Sequence, residues 1–215
     1  MTRKNKIPKF PNSYIGDKAK EYDRQKWMER NQKRTTHKVL EYLIDKKLGE
    51  HDIQQDYSCL ILDLGCGSGF SSEVLIENGF RVIGIEILKD MLSLAKKRKK
   101  LLEYTNLDLI LADINYLPLK PKKIDHIISV SAYNFITHHS SSLREERKIV
   151  NNTAKDLYRI LKNEGRIIIE LYPKDDKDLD LFKSSFTSNG FDGFMIKNDE
   201  NQRGGQTFLL LKKLN

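Results

Sequence analysis

The sequence predicts an α/β protein whose sheet is mostly parallel and covered by helices on both faces. From residue 59 onward, short apolar runs alternate with helical patterns, which is the arrangement of a doubly wound sheet. The last two apolar runs, 191–198 and 206–214, are joined by a polar loop with two adjacent glycines, which predicts an antiparallel hairpin at one edge. A glycine-rich turn follows the first run, at the position where such sheets bind ligands.

Length and composition are those of one soluble globular domain. The chain has 215 residues, 32% of them charged and 39% hydrophobic, which is enough for one full core. No apolar run approaches the roughly 20 residues of a membrane span, and the basic start lacks the apolar centre of a secretory signal. The net charge of +8 favours a polyanionic partner, although lysine-rich helices exposed to solvent give the same number.

The N-terminal part is predicted to differ from the rest. Residues 1–13 contain two prolines and little to bury, so we expect a flexible N-terminus. Residues 14–50 carry helical patterns, at about 17–30 and 32–48, and form an N-terminal helical extension. Together with the sheet core, 59–215, they are predicted to make one domain spanning 14–215.

Periodicity predicts a seven-stranded sheet with its helices. The predicted strands are 59–63, 81–86, 107–113, 123–131, 166–172, 191–198 and 206–214. The predicted helices of the core are 70–79, 88–103, 143–165 and 176–190. A mostly parallel sheet that ends in an antiparallel hairpin is the Rossmann-like methyltransferase variant of the doubly wound fold, rather than the dinucleotide-binding one.

The glycine turn distinguishes two nucleotide ligands. Glycines occupy every second position, Gly65, Gly67 and Gly69, after the strand that ends in Asp63. A dinucleotide fingerprint, G-x-G-x-x-G, requires its third glycine where this chain has Phe70, and that glycine lets the helix pack close to the strand. The turn therefore counts against NAD.

Acidic residues end the next two strands. Glu86 is placed to reach the ribose hydroxyls of a nucleoside, and Asp113 to accept from an adenine amino group. Either residue alone would more often be a solvated carboxylate, but here both follow the glycine turn in order. A nucleoside with a zwitterionic tail and no phosphates, S-adenosylmethionine, fits this set better than a pyrophosphate.

Four segments carry a resemblance to a known family. They are YIGDKAKEY (14–22), DLGCGSGFSSEVL (63–75), IISVSAYNF (127–135) and ELYPKDDKD (170–178). The sequence resembles class I S-adenosylmethionine-dependent methyltransferases and, more narrowly, the eukaryotic family that makes N7-methylguanosine in small-subunit ribosomal RNA. It departs from that family at Glu86, where Asp is usual, and at Asn134-Phe135, where Gln-Trp is usual.

The predicted site follows from these segments. The predicted cofactor-binding residues are Asp63, Gly65, Cys66, Gly67, Gly69, Glu86, Ile87, Met91, Asp113, Ile114 and Ser129. The predicted substrate-positioning residues are Ser131, Tyr133, Asn134 and Phe135, with Asn134 at the guanine edge and an aromatic ring for stacking. We predict no catalytic side chain, because guanine N7 has a lone pair and no proton and needs only to be positioned.

Three other features are assigned structural roles. The adjacent histidines His138 and His139 have no acidic or cysteine partner spaced for zinc, so no metal site is predicted. Cys59 and Cys66 have neither redox nor zinc spacing and are interpreted as reduced thiols of an intracellular protein. The KKRKK run at 96–100 is interpreted as a solvated helix face, with RNA contact as the second interpretation.

The resemblance also implies partners and a location. It implies a heterodimer with a small zinc-binding activator protein, paired along the edge of the third strand, whose apolar residues would otherwise be exposed. It implies small-subunit rRNA or the pre-ribosome as substrate, in the nucleus and cytoplasm, without a membrane. The alternatives are a tRNA or other class I methyltransferase, or a ribosome-assembly factor whose binding role outweighs catalysis.

Overall fold

The computed structural model describes residues 9–49, 58–198 and 206–214. Within these residues one seven-stranded sheet has the order β3-β2-β1-β4-β5-β7-β6. The strands are β1 (Leu60–Leu64), β2 (Arg81–Glu86), β3 (Leu107–Leu111), β4 (Ile124–Ser129), β5 (Leu161–Leu171), β6 (Phe191–Asn198) and β7 (Gln206–Lys213). Only the pairs of β7 with β5 and with β6 are antiparallel, so the predicted fold class is confirmed.

The helices cover both faces of this sheet. They are α1 (Asp17–Asp23), α2 (Lys26–Leu43), α3 (Phe70–Glu77), α4 (Lys89–Leu101), α5 (Leu143–Ile160) and α6 (Asp176–Ser188), with short 3-10 helices at Lys46–Leu48 and Tyr133–Thr137. One core cluster includes α5 and α6, with Leu157 and Phe182, and the other includes α2 and α3, with Val39 and Leu75. None of the described helices is long and apolar enough to cross a membrane.

The N-terminal helices divide at a different residue from the predicted one. The helical conformation is interrupted at Arg24 and Gln25, where Gln25 is extended, and α2 then continues without interruption. Its buried residues Thr35, Val39 and Leu43 form one face against the sheet, which keeps the helix continuous past residue 31. The buried guanidinium of Arg166 on β5 donates to the carbonyl of Leu43 at 2.6 Å and so fixes the end of α2.

The helix predicted at 143–165 ends five residues early. Its last residue is Ile160, and β5 begins at once, with Leu161 paired to Ile124 of β4. A Cβ on Gly165 would lie 2.8 Å from the carbonyl oxygen of Asp125, so the glycine permits close approach to β4 rather than ending the helix.

The flexible N-terminus predicted for residues 1–13 lies partly outside the described residues, which begin at Lys9. The described part forms turns, and the ring of Phe10 packs on that of Phe135 with centroids 4.7 Å apart. Residues 9–13 are therefore attached to the domain by an aromatic contact.

Candidate active site

A cavity of about 730 Å³ opens at the carboxyl ends of the central strands. It lies where the sheet order reverses between β1 and β4, which is the usual ligand crevice of an open α/β sheet. The glycine turn and the ends of β2 and β3 form one half of its wall, which we call the donor half. The loop after β4, the N-terminal helices, Tyr172 after β5 and Gln206 of β7 form the other, the acceptor half.

The glycine turn is held tightly against β2. The backbone N–H groups of Gly65 and Cys66 both donate to the carbonyl of Ile85, at 2.8 and 3.0 Å. Gly65 has a φ of 72° and Gly67 a φ of 56°, the left-handed region that favours glycine. A Cβ on Gly65 would collide with the Cβ of Ala132, so the glycine permits the loop after β4 to pack directly on the turn.

The carboxylate of Glu86 is buried beside this turn. It accepts from the backbone N–H of Gly67 at 3.0 Å and from that of Leu88 at 2.7 Å, one on each oxygen. Burial raises the pKa of Glu86, and the backbone donors act in the opposite direction. Each oxygen keeps a second lone pair, so Glu86 can still accept two hydroxyl groups from the cavity.

The remaining residues of the donor half line the same wall. Asp113 accepts from the N–H of Asn115 through Oδ1 and faces the cavity, as do Ile87, Met91 and Ile114. Cys66 also lines the cavity, although burial raises the pKa of its thiol, so it is not poised for nucleophilic chemistry. Ser68 lines the cavity with a buried hydroxyl that has no partner among the described residues.

Three residues of the predicted cofactor set lie behind the wall instead. Asp63 is fully buried and accepts from the hydroxyls of Ser71 and Ser72 at 2.6 and 2.7 Å, which ties the start of α3 to β1. Gly69, with a φ of 92°, is the N-cap of α3, and Ser129 donates its hydroxyl to the backbone of β1. These residues shape the turn without lining the cavity.

Of the predicted substrate-positioning residues, Ser131, Asn134 and Phe135 line the acceptor half. Tyr133 does not, so of the two rings predicted as alternatives for stacking, Tyr133 and Phe135, only Phe135 faces the cavity. The side chain of Tyr133 is fully buried between the helices and packs against Phe182 and Phe186, with centroids 5.7 and 5.8 Å away. The apolar core offers the ring more contact than the loop surface does.

The side-chain amide of Asn134 bonds to the backbone of Tyr172 on both sides. Its Nδ2 donates to the carbonyl of Tyr172 and its Oδ1 accepts from the N–H of Tyr172, both at 2.8 Å. Asn134 therefore joins the loop after β4 to the residue that follows β5, and its role at the guanine edge stays a prediction. These two bonds use one amide hydrogen and one lone pair of the oxygen, so Asn134 keeps one of each for a further partner.

Sequence reasoning missed the N-terminal wall of the cavity. The side chains that it contributes include Phe10, Tyr14, Tyr22, Trp27, Asn31 and Arg34. The spacing of Trp27, Asn31 and Arg34 is helical and places them on one face of α2, which is a signal that the sequence does contain. Burial raises the pKa of Tyr14 to about 12, so its hydroxyl keeps its proton at neutral pH.

The donor half fits an adenosine with a short charged tail. A tail can approach the backbone at Gly65 and Gly67, because both glycines line the cavity without a side chain. Glu86 can accept from two ribose hydroxyls, and Asp113 from an amino group. Among the described residues no cluster of three or more potential metal ligands occurs.

Comparison with solved structures shows the same fold. Magnesium protoporphyrin IX methyltransferase from Synechocystis superimposes with a TM-score of 0.66 at 19% identity, covering 94% of each chain. A geranyl diphosphate C-methyltransferase from Streptomyces coelicolor gives 0.66 at 10% identity, covering 94% of this chain and 85% of that one. Fold and cavity thus define a protein of the class I methyltransferase architecture.

The family follows from comparison of the sequence. A family model described as a methyltransferase domain matches residues 55–206, and the chain belongs to that methyltransferase family. An 18S rRNA (guanine-N(7))-methyltransferase from Bos taurus is 30% identical over 198 residues, 92% of this chain and 66% of that protein. An 18S rRNA methyltransferase from Saccharomyces cerevisiae is 33% identical over 65% of this chain and 50% of that one. The chain thus spans between half and just under two thirds of these relatives' length.

Proposed function

We propose that this protein transfers a methyl group from S-adenosylmethionine to N7 of guanine in small-subunit ribosomal RNA. The observation that carries the proposal is a single cavity that joins a nucleoside-binding half to an aromatic half at Phe135. Relatives from animals, fungi and a plant that bear the name of an 18S rRNA (guanine-N(7))-methyltransferase support the choice of substrate.

Bound S-adenosylmethionine supplies a methyl group on a positively charged sulfur. In our proposal the carboxylate of Glu86 binds the ribose hydroxyls, and Asp113 accepts from the adenine amino group. The glycine turn admits the methionine end beside Gly65 and Gly67, where the backbone is bare. These contacts hold the donor at the base of the cavity, next to the loop that starts at Ser131.

The acceptor half is suited to a flat ring. The ring of Phe10 lies on that of Phe135 with an interplanar angle of 17°, and in our proposal a guanine that stacks on this face takes the place of Phe10. Guanine N7 has no proton to lose, so the site needs to hold the base in line and exclude water. The tyrosines in this wall suit that task because burial raises the pKa values of Tyr14 and Tyr22, which keeps both hydroxyls neutral.

The proposal extends to a protein partner. β3 is the edge strand of the sheet on one side, and its last residue Leu111 is 53% exposed. An edge strand with exposed apolar side chains is a template for pairing with another chain. A small zinc-binding activator protein seated on β3 would cover it, and co-expression with such a protein should raise the yield of soluble enzyme. A chain that purifies alone with full affinity for the methyl donor contradicts this partner.

The location follows from the substrate. An enzyme that modifies small-subunit rRNA within the pre-ribosome acts in the nucleus and travels with the particle to the cytoplasm. A fluorescent fusion of the full chain should therefore occupy both compartments, and exclusion from the nucleus would contradict this part of the proposal.

Mapping of N7-methylguanosine in small-subunit rRNA, in cells with and without the protein, tests the function. We expect one N7-methylguanosine to disappear without the protein and to return with the wild-type chain. A Glu86→Ala variant should fail to restore it, whereas Glu41→Ala, which removes an exposed carboxylate outside the cavity wall, should restore it. Unchanged modification in cells without the protein contradicts the proposal.

A further inference from the structure

Glu170, near the end of β5, is a fully buried carboxylate that the proposed chemistry does not use. Three side chains from separate segments donate to it. The hydroxyl of Ser131 donates to Oε2 at 2.7 Å. The hydroxyl of Tyr172 and the amide of Gln206 donate to Oε1 at 2.6 and 2.7 Å. A charge-assisted hydrogen bond is stronger than a neutral one, so this carboxylate binds the three segments together.

The three side chains that donate hydrogen bonds to Glu170 line the cavity, whereas Glu170 itself lies behind them. Ser131, Tyr172 and Gln206 all belong to the acceptor half of the wall. Gln206 also donates to the hydroxyl of Thr35 on α2 at 2.8 Å, so the network reaches the N-terminal helices. Glu170 thus joins the loop after β4 to the end of β5 and the start of β7 from behind the cavity wall, and it reaches α2 only through Gln206.

The backbone at Ser131 indicates why this anchor is needed. Ser131 has a φ of 57°, a left-handed conformation that is rare for a residue other than glycine. Such a conformation persists only when the surroundings impose it, and the hydroxyl of Ser131 is bonded to Glu170. The next residue, Ala132, packs directly on Gly65 of the glycine turn. The series of contacts that starts at Glu170 and passes through Ser131 therefore reaches the donor half.

We propose that Glu170 is a positioning residue that fixes the loop 131–135 and Tyr172 against the glycine turn, so that acceptor base and methyl donor are held in line. The inference rests on the proposed function for its substrate. A displacement of about 1 Å between reacting groups can cost about 100-fold in rate, so loss of the anchor should slow transfer rather than weaken cofactor binding.

The test compares two substitutions in the full chain, purified in the form in which it is active. Glu170→Ala removes all three acceptor bonds, and we expect kcat to fall by about 100-fold. The affinity for S-adenosylmethionine should change by less than about twofold, a shift well below the 1.4 kcal/mol of a tenfold change. Glu170→Gln keeps the shape, and its carbonyl oxygen can accept from Tyr172 and Gln206 while Ser131 rotates to accept from the new amide. It should restore most of the rate.

Hydrogen exchange of the amides in residues 129–136 gives a second measurement that needs no RNA substrate. Exchange there should rise in Glu170→Ala and remain at the wild-type level in Glu170→Gln. Glu41→Ala, which removes an exposed carboxylate from α2, is the matched control for both measurements. Should Glu170→Ala not fold, Ser131→Ala and Tyr172→Phe each remove one bond, and each should raise the same exchange.

Three results would overturn the inference: normal turnover and exchange in Glu170→Ala, equal impairment of the Gln and Ala variants, or a selective loss of cofactor affinity. Failure of the proposed function looks different. In that case the wild-type chain does not methylate guanine N7, while the exchange measurement still separates the Ala and Gln variants.

Discussion

Gly65 lies so close to Ala132 that a Cβ on the glycine would fall 2.3 Å from the Cβ of the alanine. This contact is the point where the donor half of the cavity meets the loop of the acceptor half. It explains why the glycine turn matters beyond its backbone freedom. The turn therefore sets the distance between the two halves of the cavity as well as the shape of the donor half.

Gly65→Ala should therefore damage both folding and cofactor binding. We expect the free energy of unfolding to fall by about 3 kcal/mol, because the variant combines a left-handed backbone with a collision in a packed region. The affinity for S-adenosylmethionine, measured by calorimetry, should fall roughly tenfold or more. The matched control is Gly16→Ala, since Gly16 has a φ of 59° and no atom within 4 Å of the added Cβ. Equal effects of the two substitutions would contradict the collision.

Phe135 should determine affinity for RNA. Its ring stacks on that of Phe10, which a guanine on the same face would replace, and base stacking on an aromatic ring contributes about 1–3 kcal/mol. Phe135→Ala should raise KM for a guanine-containing RNA by roughly tenfold, and Phe135→Trp should keep it near the wild-type value. Phe194→Ala serves as the control, because that ring lies outside the cavity wall. A KM that does not respond to Phe135→Ala would contradict stacking.

Local patterns explain which parts could be predicted from the sequence. The sequence patterns of the strands and of the glycine turn involve residues close together in the chain, and the same holds for the acids at Glu86 and Asp113. In the structure the turn and both acids lie at the carboxyl ends of the strands. The pairing of Asn134 with Tyr172 and of Ser131 with Glu170 joins residues 38 and 39 positions apart. No periodicity encodes such pairs, so their roles emerge only once β4 and β5 lie side by side.

The basic run at 96–100 shows the same limit. Lys96, Lys97 and Lys100 are exposed, as the interpretation of a solvated face requires. Arg98 instead turns inward and donates to Glu73 at 2.9 Å and to Asp23 at 3.1 Å. Composition could not separate one arginine from its four lysine neighbours, because only the helix orientation decides which side chain faces α1 and α3.

Arg98 should accordingly contribute far more to stability than its neighbours. Its Nε donates to the carbonyl of Ser68 at 3.1 Å, and its guanidinium stands 4.3 Å from the centroid of Phe70. Arg98→Ala leaves the buried carboxylate of Glu73 with one partner fewer, and we expect a loss of about 3 kcal/mol in urea unfolding. Lys97→Ala should stay within about 0.5 kcal/mol. Similar losses for both would show that Arg98 is only a surface charge.

Removal of the hydroxyl of Tyr133 should stabilise the protein. The ring is fully buried, and its hydroxyl has no hydrogen-bond partner among the described residues. A buried polar group without a partner costs about 1–3 kcal/mol, so Tyr133→Phe should raise the free energy of unfolding by about 1 kcal/mol. The rate of methyl transfer should not change, because the ring does not line the cavity. A loss of activity in Tyr133→Phe would contradict this prediction and show that the hydroxyl acts in the substrate site.

The buried carboxyl of Asp63 should make stability fall as pH rises from 4 to 7. Burial raises its pKa to about 6 in the folded chain, against 3.8 for the ordinary group, although the hydroxyls of Ser71 and Ser72 act to lower it. Between these values the folded state binds more protons than the unfolded one, so its stability is greatest below the lower pKa and declines through the higher one. About two pKa units correspond to about 3 kcal/mol.

The contribution is isolated by urea unfolding of the wild-type chain and of Asp63→Asn, which cannot ionise, at a series of pH values. The difference in unfolding free energy, wild type minus variant, should fall across pH 4–6 and level off above 7. A difference that rises with pH would contradict this prediction. It would mean that the serine partners stabilise the carboxylate more than burial destabilises it.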